Sequence, residues 1–184
     1  HFEDIKVLRY FHVKVMCLQE TWLDPLQNSD QFQLEDFNVC LNSKGRGKGI
    51  ATYYSQPYSC DASSSVCEDD LQMTKVSTES LDIINVYRSS NNKSFKEKIL
   101  KAINPNKPSI LCGDINCEVR KENSDFVKTL EDLGFVQIVK KPTHDMGRSI
   151  DVVYVNQFLL GSVLVKQMGV GFSDHDCLLI KLDL

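Results

Sequence analysis

From residue 71 onward the chain is a succession of short apolar runs separated by turn residues. LQMTKVS, LDIINVYR, PSILC, FVQIVKKP, SIDVVYV, GSVLVKQMGV and CLLIKLDL follow one another along it. Runs of this length, bounded by Gly, Pro, Asn, Asp or Ser, read as strands. VKVMCL at 13–18, FNVCLN at 37–42 and IATYYS at 50–55 have the same character. Helical spacing is confined to three places. HFEDIKVLRYF opens the chain, SFKEKILKAI occupies 94–103 with Ser94 as its N-cap, and NSDFVKTLEDLGF occupies 123–135, capped by Asn123 or Ser124. About nine strands and three helices are therefore predicted. Strands in runs with few helices favour packed sheets with helices outside over a doubly wound sheet.

The chain has 184 residues and no internal repeat or linker, so it is expected to form a single domain over 1–184. Residues 60–70, with three consecutive serines, are predicted to be a surface loop. No apolar run approaches membrane-spanning length. The net charge of −4 disfavours a general nucleic-acid coat but suits a site in which carboxylates are offset by a cation. The seven cysteines form an odd set without a CxxC pair. Cys17, Cys112 and Cys177 lie in apolar runs, as free core thiols do. An intracellular, reducing setting is expected.

Polar motifs stand where the apolar runs end. Gln19-Glu20-Thr21 follows VKVMCL, Gly113-Asp114-Ile115-Asn116 follows PSILC, and Ser173-Asp174-His175 precedes the last run. Strand-end loops on a rigid sheet are where chemistry is commonly placed. Glu20 is a candidate magnesium ligand, although such a residue alone is more often an ordinary exposed glutamate. Asp114 can accept a proton from water, and Asn116 can donate to a phosphate oxygen. Alone, the same residues make a polar turn. His175 can donate to a phosphoryl oxygen, and Asp151 is better placed than Asp174 to orient its ring. Tyr87 ends its strand with a phenol able to reach a phosphate, or is simply half-buried. His144 reads as structural or as a substrate-edge residue. Lys44, Arg46 and Lys48, spaced by glycines, read first as a solvated hairpin tip and second as backbone contacts to nucleic acid. That loop is too degenerate for a phosphate-cradling P-loop.

In order, CLQETWL at 17–23, VYRSSN at 86–91, LCGDIN at 111–116, RSID at 148–151 and SDHDCLLI at 173–180 resemble the successive motifs of the exonuclease–endonuclease–phosphatase superfamily. QETWL and PTHDMGRSIDVVYV most resemble the apurinic-like endonuclease domains of LINE-type retrotransposons and related mobile elements. The resemblance implies an α/β fold, a four-layer αββα sandwich of two mainly antiparallel sheets. It implies magnesium, with manganese as the alternative ion. Glu20 would be the metal ligand and Asp174 an acid near the metal. Asp114, with Asn116 beside it, would activate water. His175 would contact the scissile phosphate, Asp151 would orient His175, and Tyr87 would touch the phosphate. Thr143 matches a site threonine loosely.

The implied activity is metal-dependent hydrolysis of phosphodiesters, as a DNA endonuclease that nicks one strand. The alternative is an inactive remnant that binds DNA or protein. A phospholipid or inositol phosphate substrate ranks lower, since no aromatic membrane hairpin or basic cluster is evident. DNA is the expected partner, with no membrane, in a protein that is monomeric or part of a larger polyprotein. The expected location is nuclear when it acts on DNA. Family members usually begin with a strand bearing an asparagine, and this chain opens inside the following helix. Truncation, or decay of the copy, is therefore expected at the N-terminus.

Overall fold

A computed structural model of the chain describes residues 12–23, 32–42, 45, 47–89, 95–119 and 125–183. The helix expected over 1–11, Lys44, Arg46 and the proposed caps Ser94, Asn123 and Ser124 lie outside the described residues.

The largest sheet carries the fold. It contains β4 (Ser59–Cys60), β5 (Val66–Cys67), β6 (Leu71–Ser77), β7 (Asp82–Arg88), β8 (Ser109–Asp114), β9 (Phe135–Gln137) and β10 (Asp151–Asn156). Its order is β4-β6-β7-β8-β10-β9, with β5 also on β6. β7 and β8 pair in parallel, and the other ladders in this sheet are antiparallel. Parallel neighbours need a crossover. Helix α1 (Phe95–Ala102) lies between β7 and β8 in the chain.

Successive side chains on a strand point to opposite faces, and here both faces are covered. Ile84 and Val86 of β7, Leu111 of β8, and Val152 and Tyr154 of β10 pack with Phe95, Ile99 and Ala102 of α1. Leu130 of α2 (Asp125–Asp132) joins that layer. Their strand neighbours Ile83, Ile110, Cys112, Val153 and Val155 pack on the opposite side. β7 and β10 are consequently buried along nearly their whole length. This explains why they read as mainly apolar runs instead of alternating ones, with Asn85 the interruption inside β7.

The opposite face is covered by two smaller antiparallel sheets. One holds β1 (Val15–Gln19), β2 (Asn38–Asn42) and β3 (Ile50–Tyr54) in the order β1-β3-β2. The other is the ladder of β11 (Val163–Met168) and β12 (Cys177–Leu182). Val15, Cys17, Val163, Val165, Leu178 and Ile180 reach from these strands onto the large sheet. The architecture is an α/β sandwich, mostly sheet with few helices. Among the described residues, no helix is long and apolar enough to cross a membrane.

The structure departs from sequence expectation in three places. FVQIVKKP forms a strand only over its first three residues, Phe135–Gln137. The segment 60–70 is not simply a loop. Asp61 caps a short 3₁₀ turn, and Val66–Cys67 pairs with β6. Cys40 and Cys60 are joined by a disulfide, where free thiols were expected. Residues 20 apart in sequence meet there, because β2 and β4 belong to different sheets of the sandwich, and no local spacing reports that. Cys17, Cys112 and Cys177 remain thiols.

A buried ion network ties the end of the large sheet where β7 begins. Asp82 is 2% exposed and lies 2.9 Å from Lys75 Nζ, with Lys107 on its other oxygen and Ser77 Oγ donating at 2.8 Å. Burial alone would raise the Asp82 carboxyl. Hydrogen bonds from Lys107, Lys75 and Ser77 outweigh it and hold the group below its ordinary 3.8. Removing one partner of a buried pair leaves uncompensated charge. Asp82→Ala should therefore cost about 3–5 kcal/mol, read from urea unfolding midpoints. Because the folded-state pKa is depressed, the stabilisation is present above pH 3.8 and is lost as pH falls through the folded value.

Candidate active site

Strand register alone lines up three of the predicted residues. Tyr87 on β7 is the ladder partner of Asp114 on β8, and Asp114 is the partner of Asp151 on β10. Partners in a ladder sit on the same face, about 4.8 Å apart from strand to strand. Tyr87, Asp114 and Asp151 therefore form a row across the sheet, at the end opposite the Asp82 network.

Two loops close on this row. β1 ends at Gln19, and Glu20 turns there with a φ of 48°. Thr21 and Trp22 donate their backbone N–H groups to Gly49 O and Lys48 O, at 3.1 and 3.0 Å. That brings the Glu20 carboxylate to Tyr87, whose hydroxyl donates to Oε1 at 2.7 Å. From the other side, His175 reaches Asp151 just before β12 begins. Its Nδ1 lies 3.0 and 3.1 Å from the two carboxylate oxygens. Thr143 Oγ1 donates to the same carboxylate.

Local backbone chemistry shapes each position. Gly113 has a φ of 136°, and a Cβ there would lie 1.9 Å from Val86 O. Only glycine lets β8 approach β7 this closely beside Asp114. Asn116, with a φ of 48°, folds back over Asp114. Its backbone N–H donates to Oδ1 at 2.7 Å and its Nδ2 to Oδ2 at 3.0 Å. Nδ2 also donates to Arg88 O at 2.9 Å. One side-chain amide hydrogen thus holds Asp114 and the other holds Arg88 O, so Oδ1 of Asn116 is left as its polar atom toward a ligand.

The electrostatics follow from burial and charge. Asp114 is 3% exposed, and desolvation pushes its carboxyl up to about 7. The backbone N–H of Asn116 opposes this rise and the Asp151 charge adds to it. The hydrogen bond to Asp151 raises His175 to about 9 against its desolvation, helped by the charges of Asp151, Asp114 and Asp174. Burial, then the bond to Glu20, raises the Tyr87 phenol above its ordinary value. At neutral pH the row therefore contains a phenol that donates, a carboxyl poised to ionise and a cationic imidazole.

Asp174 stands apart from the row. It is exposed, with Oδ2 3.4 Å from His144 Nε2. His144, which the sequence marked as structural or edge, is buried against the site. Its ring meets His175 edge-on at 4.8 Å, and the two residues form an isolated bridge. Its Nε2 also lies 2.7 Å from Arg148 Nη2, and its Nδ1 accepts from Met146 N–H at 3.1 Å. The turn signal in KPTHDMGR hid this placement, because a turn is also what returns the chain to β10 beside β12.

Donor atoms of Asp114, Asp151 and His175 lie within 4.8 Å of one another, as do those of His144, Asp174 and His175. The second group has a guanidinium on its histidine, which disfavours a cation there. Glu20 belongs to neither group. It lies on the open side of the row, near enough for its charge to act on Asp114. Exposed carboxylate oxygens of this kind suit a hard divalent ion that keeps several waters, so the residues fit such an ion.

Comparison with known proteins agrees with this geometry. The profile of the endonuclease/exonuclease/phosphatase family matches residues 5–175. Among curated protein sequences, none matches this chain. Solved structures do. The endonuclease domain of TRAS1, a telomere-specific non-LTR retrotransposon, superposes with a TM-score of 0.74 at 15% identity, covering 98% of this chain and 90% of that one. An AP endonuclease from Archaeoglobus fulgidus gives 0.70 at 14% identity, covering 100% and 94%. The 3′ phosphatase NExo from Neisseria, bound to product DNA hairpin, gives 0.70 at 14% identity, covering 99% and 94%. At these identities the likeness speaks for the fold. Together, the profile match along most of the sequence and the shared sandwich show that the chain belongs to the endonuclease/exonuclease/phosphatase family, whose chemistry is phosphoester hydrolysis.

Proposed function

We propose that this chain is a divalent-metal-dependent phosphodiesterase that nicks one strand of DNA, in the manner of mobile-element endonucleases. The observation that carries the reading is the Tyr87–Asp114–Asp151 row with His175 docked on it. DNA as substrate is supported by the neighbours described above, of which one is a retrotransposon endonuclease domain and another is bound to DNA. An intracellular, DNA-facing location accords with that substrate.

Magnesium is the expected ion, with Glu20 as ligand and Asp174 nearby. When bound, it would offset charge on the phosphoryl and leaving oxygens. The remaining roles belong to the protein. Asp114, held by Asn116, takes a proton from the attacking water. His175, fixed through Nδ1 by Asp151, presents its other nitrogen as a charged donor to a phosphoryl oxygen. Thr143 keeps Asp151 oriented. Tyr87 holds Glu20 from behind. The water oxygen would bond to phosphorus as the P–O3′ bond breaks, and the leaving oxygen would take a proton from solvent, giving a 3′-hydroxyl and a 5′-phosphate.

The test is conversion of supercoiled plasmid to open circle. Nicking in magnesium that stops with chelator and returns with added metal is expected. A folded protein that binds DNA without nicking at any magnesium or manganese concentration would replace this reading with a binding-only remnant.

A pH profile follows from the same assignments. Asp114 acts when ionised and His175 when protonated, so kcat/KM should rise through pH 7 and fall through pH 9. A cation beside Asp114 favours its charged form, so more magnesium should move the acid limb lower. In His175→Gln the alkaline limb should vanish. An alkaline limb that persists there would remove His175 from this role.

A further inference from the structure

We infer that Asn85 and Gln19 form a positioning pair that fixes Glu20, and with it metal affinity, from inside the sandwich. The inference rests on the assignment of Glu20 as metal ligand.

Asn85 interrupts an otherwise apolar run and is fully buried, at 0% exposure. It precedes Tyr87 by two residues on β7, so the two side chains share a face. Its Oδ1 accepts from Gln19 Nε2 at 2.6 Å. Its Nδ2 donates to Thr52 Oγ1 at 2.9 Å, lies 3.3 Å from Ala51 O and lies 3.5 Å from Leu18 O. Leu18 and Ala51 are ladder partners on β1 and β3. One amide from the large sheet therefore grips two of the three strands of the small sheet, β1 and β3, beside the end of β1 that leads into Glu20. Thr52 continues the contact to Thr74 on β6 at 2.6 Å.

Most of the contact between the two sheets is apolar, and other polar crossings, such as Asn42 Nδ2 donating to Met73 O at 2.9 Å, lie on other strands than β1. Burying polar groups there is costly unless they are hydrogen-bonded. A bonded amide, unlike an apolar contact, has direction and sets register between the layers. Its location matters because Glu20 and the residue before it are held by the same face of β7. The carboxylate is held by Tyr87, and the side chain of the preceding residue, Gln19, is held by Asn85. Glu20 also sits in the left-handed region, a conformation non-glycine residues keep only when their surroundings impose it. Without the amide bond, the end of β1 is free to shift along β7, and the Glu20 carboxylate loses its fixed position relative to Asp114.

Groups that orient a metal ligand from behind typically contribute about 10–100-fold in affinity. The experiment measures Mn2+ binding by electron paramagnetic resonance in the wild type, Gln19→Leu, Asn85→Leu, the double variant and Glu20→Gln, all on protein whose circular dichroism matches the wild type. Affinity should fall about 10–100-fold in either single variant. Because the pair acts as a unit, the double variant should fall little further. KM for DNA should stay near the wild-type value in Gln19→Leu. Gln19 is only half-buried, so this variant folds even where Asn85→Leu does not. Wild-type Mn2+ affinity in folded Gln19→Leu would overturn the positioning role. Equal Mn2+ binding by the wild type and Glu20→Gln would instead overturn the metal assignment of Glu20, and the inference with it.

Discussion

His175→Ala should lower magnesium-dependent nicking by about a hundredfold or more while leaving the fold intact. In the function proposed above, the group removed is one charged donor aimed at the place where phosphoryl charge would develop. Such donors act in a preorganised site and lose that value when water replaces them. The substitution is mild structurally. His175 is half-buried, and Asp151 keeps Thr143 as a partner after the imidazole is gone. Plasmid-nicking rates at saturating magnesium, paired with unfolding midpoints, separate the two effects. A rate within threefold of the wild type would show that the imidazole is not the charged donor.

Gly113→Ala should have the largest effect on stability, about 4 kcal/mol or more, or leave no soluble protein. The methyl would meet a backbone oxygen at 1.9 Å, in the middle of a sheet where neither strand can give way. Gly113 is the ladder partner of Val86 on one side and of Val152 on the other. The backbone at φ 136° adds strain that alanine tolerates poorly. Gly147→Ala is the control. It also has a positive φ, but a Cβ there meets nothing within 4 Å. Its cost should be about 1 kcal/mol. Guanidinium unfolding of both variants checks the contrast. Equal midpoints would mean that β7 and β8 do not approach as described.

The strands of the sandwich were legible because both-face burial writes long apolar runs, as in LDIINVYR and SIDVVYV. The short pairings were not. Ser59–Cys60 and Val66–Cys67 lie in a serine-rich segment whose composition says loop, and they are strands only because β6 offers them an edge. At the site, Glu20, Tyr87, Asp114, Asn116, Asp151 and His175 were each visible as polar residues at the ends of apolar runs. Apart from Asp151 beside His175, their mutual contacts were not visible. That Asn116 holds Asp114 depends on a backbone turn, and that Tyr87 holds Glu20 depends on packing between sheets. His144 was discounted because a turn sequence carries no record of what the turn packs against. Asn85 did leave a signal, a single amide inside an apolar strand, but its partners lie 33 and 66 residues away.

The alignment of Tyr87, Asp114 and Asp151 by ladder partnership has an evolutionary consequence. The reactive groups are registered by the sheet, and the segments that join them do not set their spacing. Residues 60–70 and the turn around Met146 can be lengthened, shortened or exchanged while the row stays in place. Surface segments tolerate such change far better than ladders do. A lineage built on this frame can exchange its outer segments and keep Tyr87, Asp114 and Asp151 in the same mutual positions.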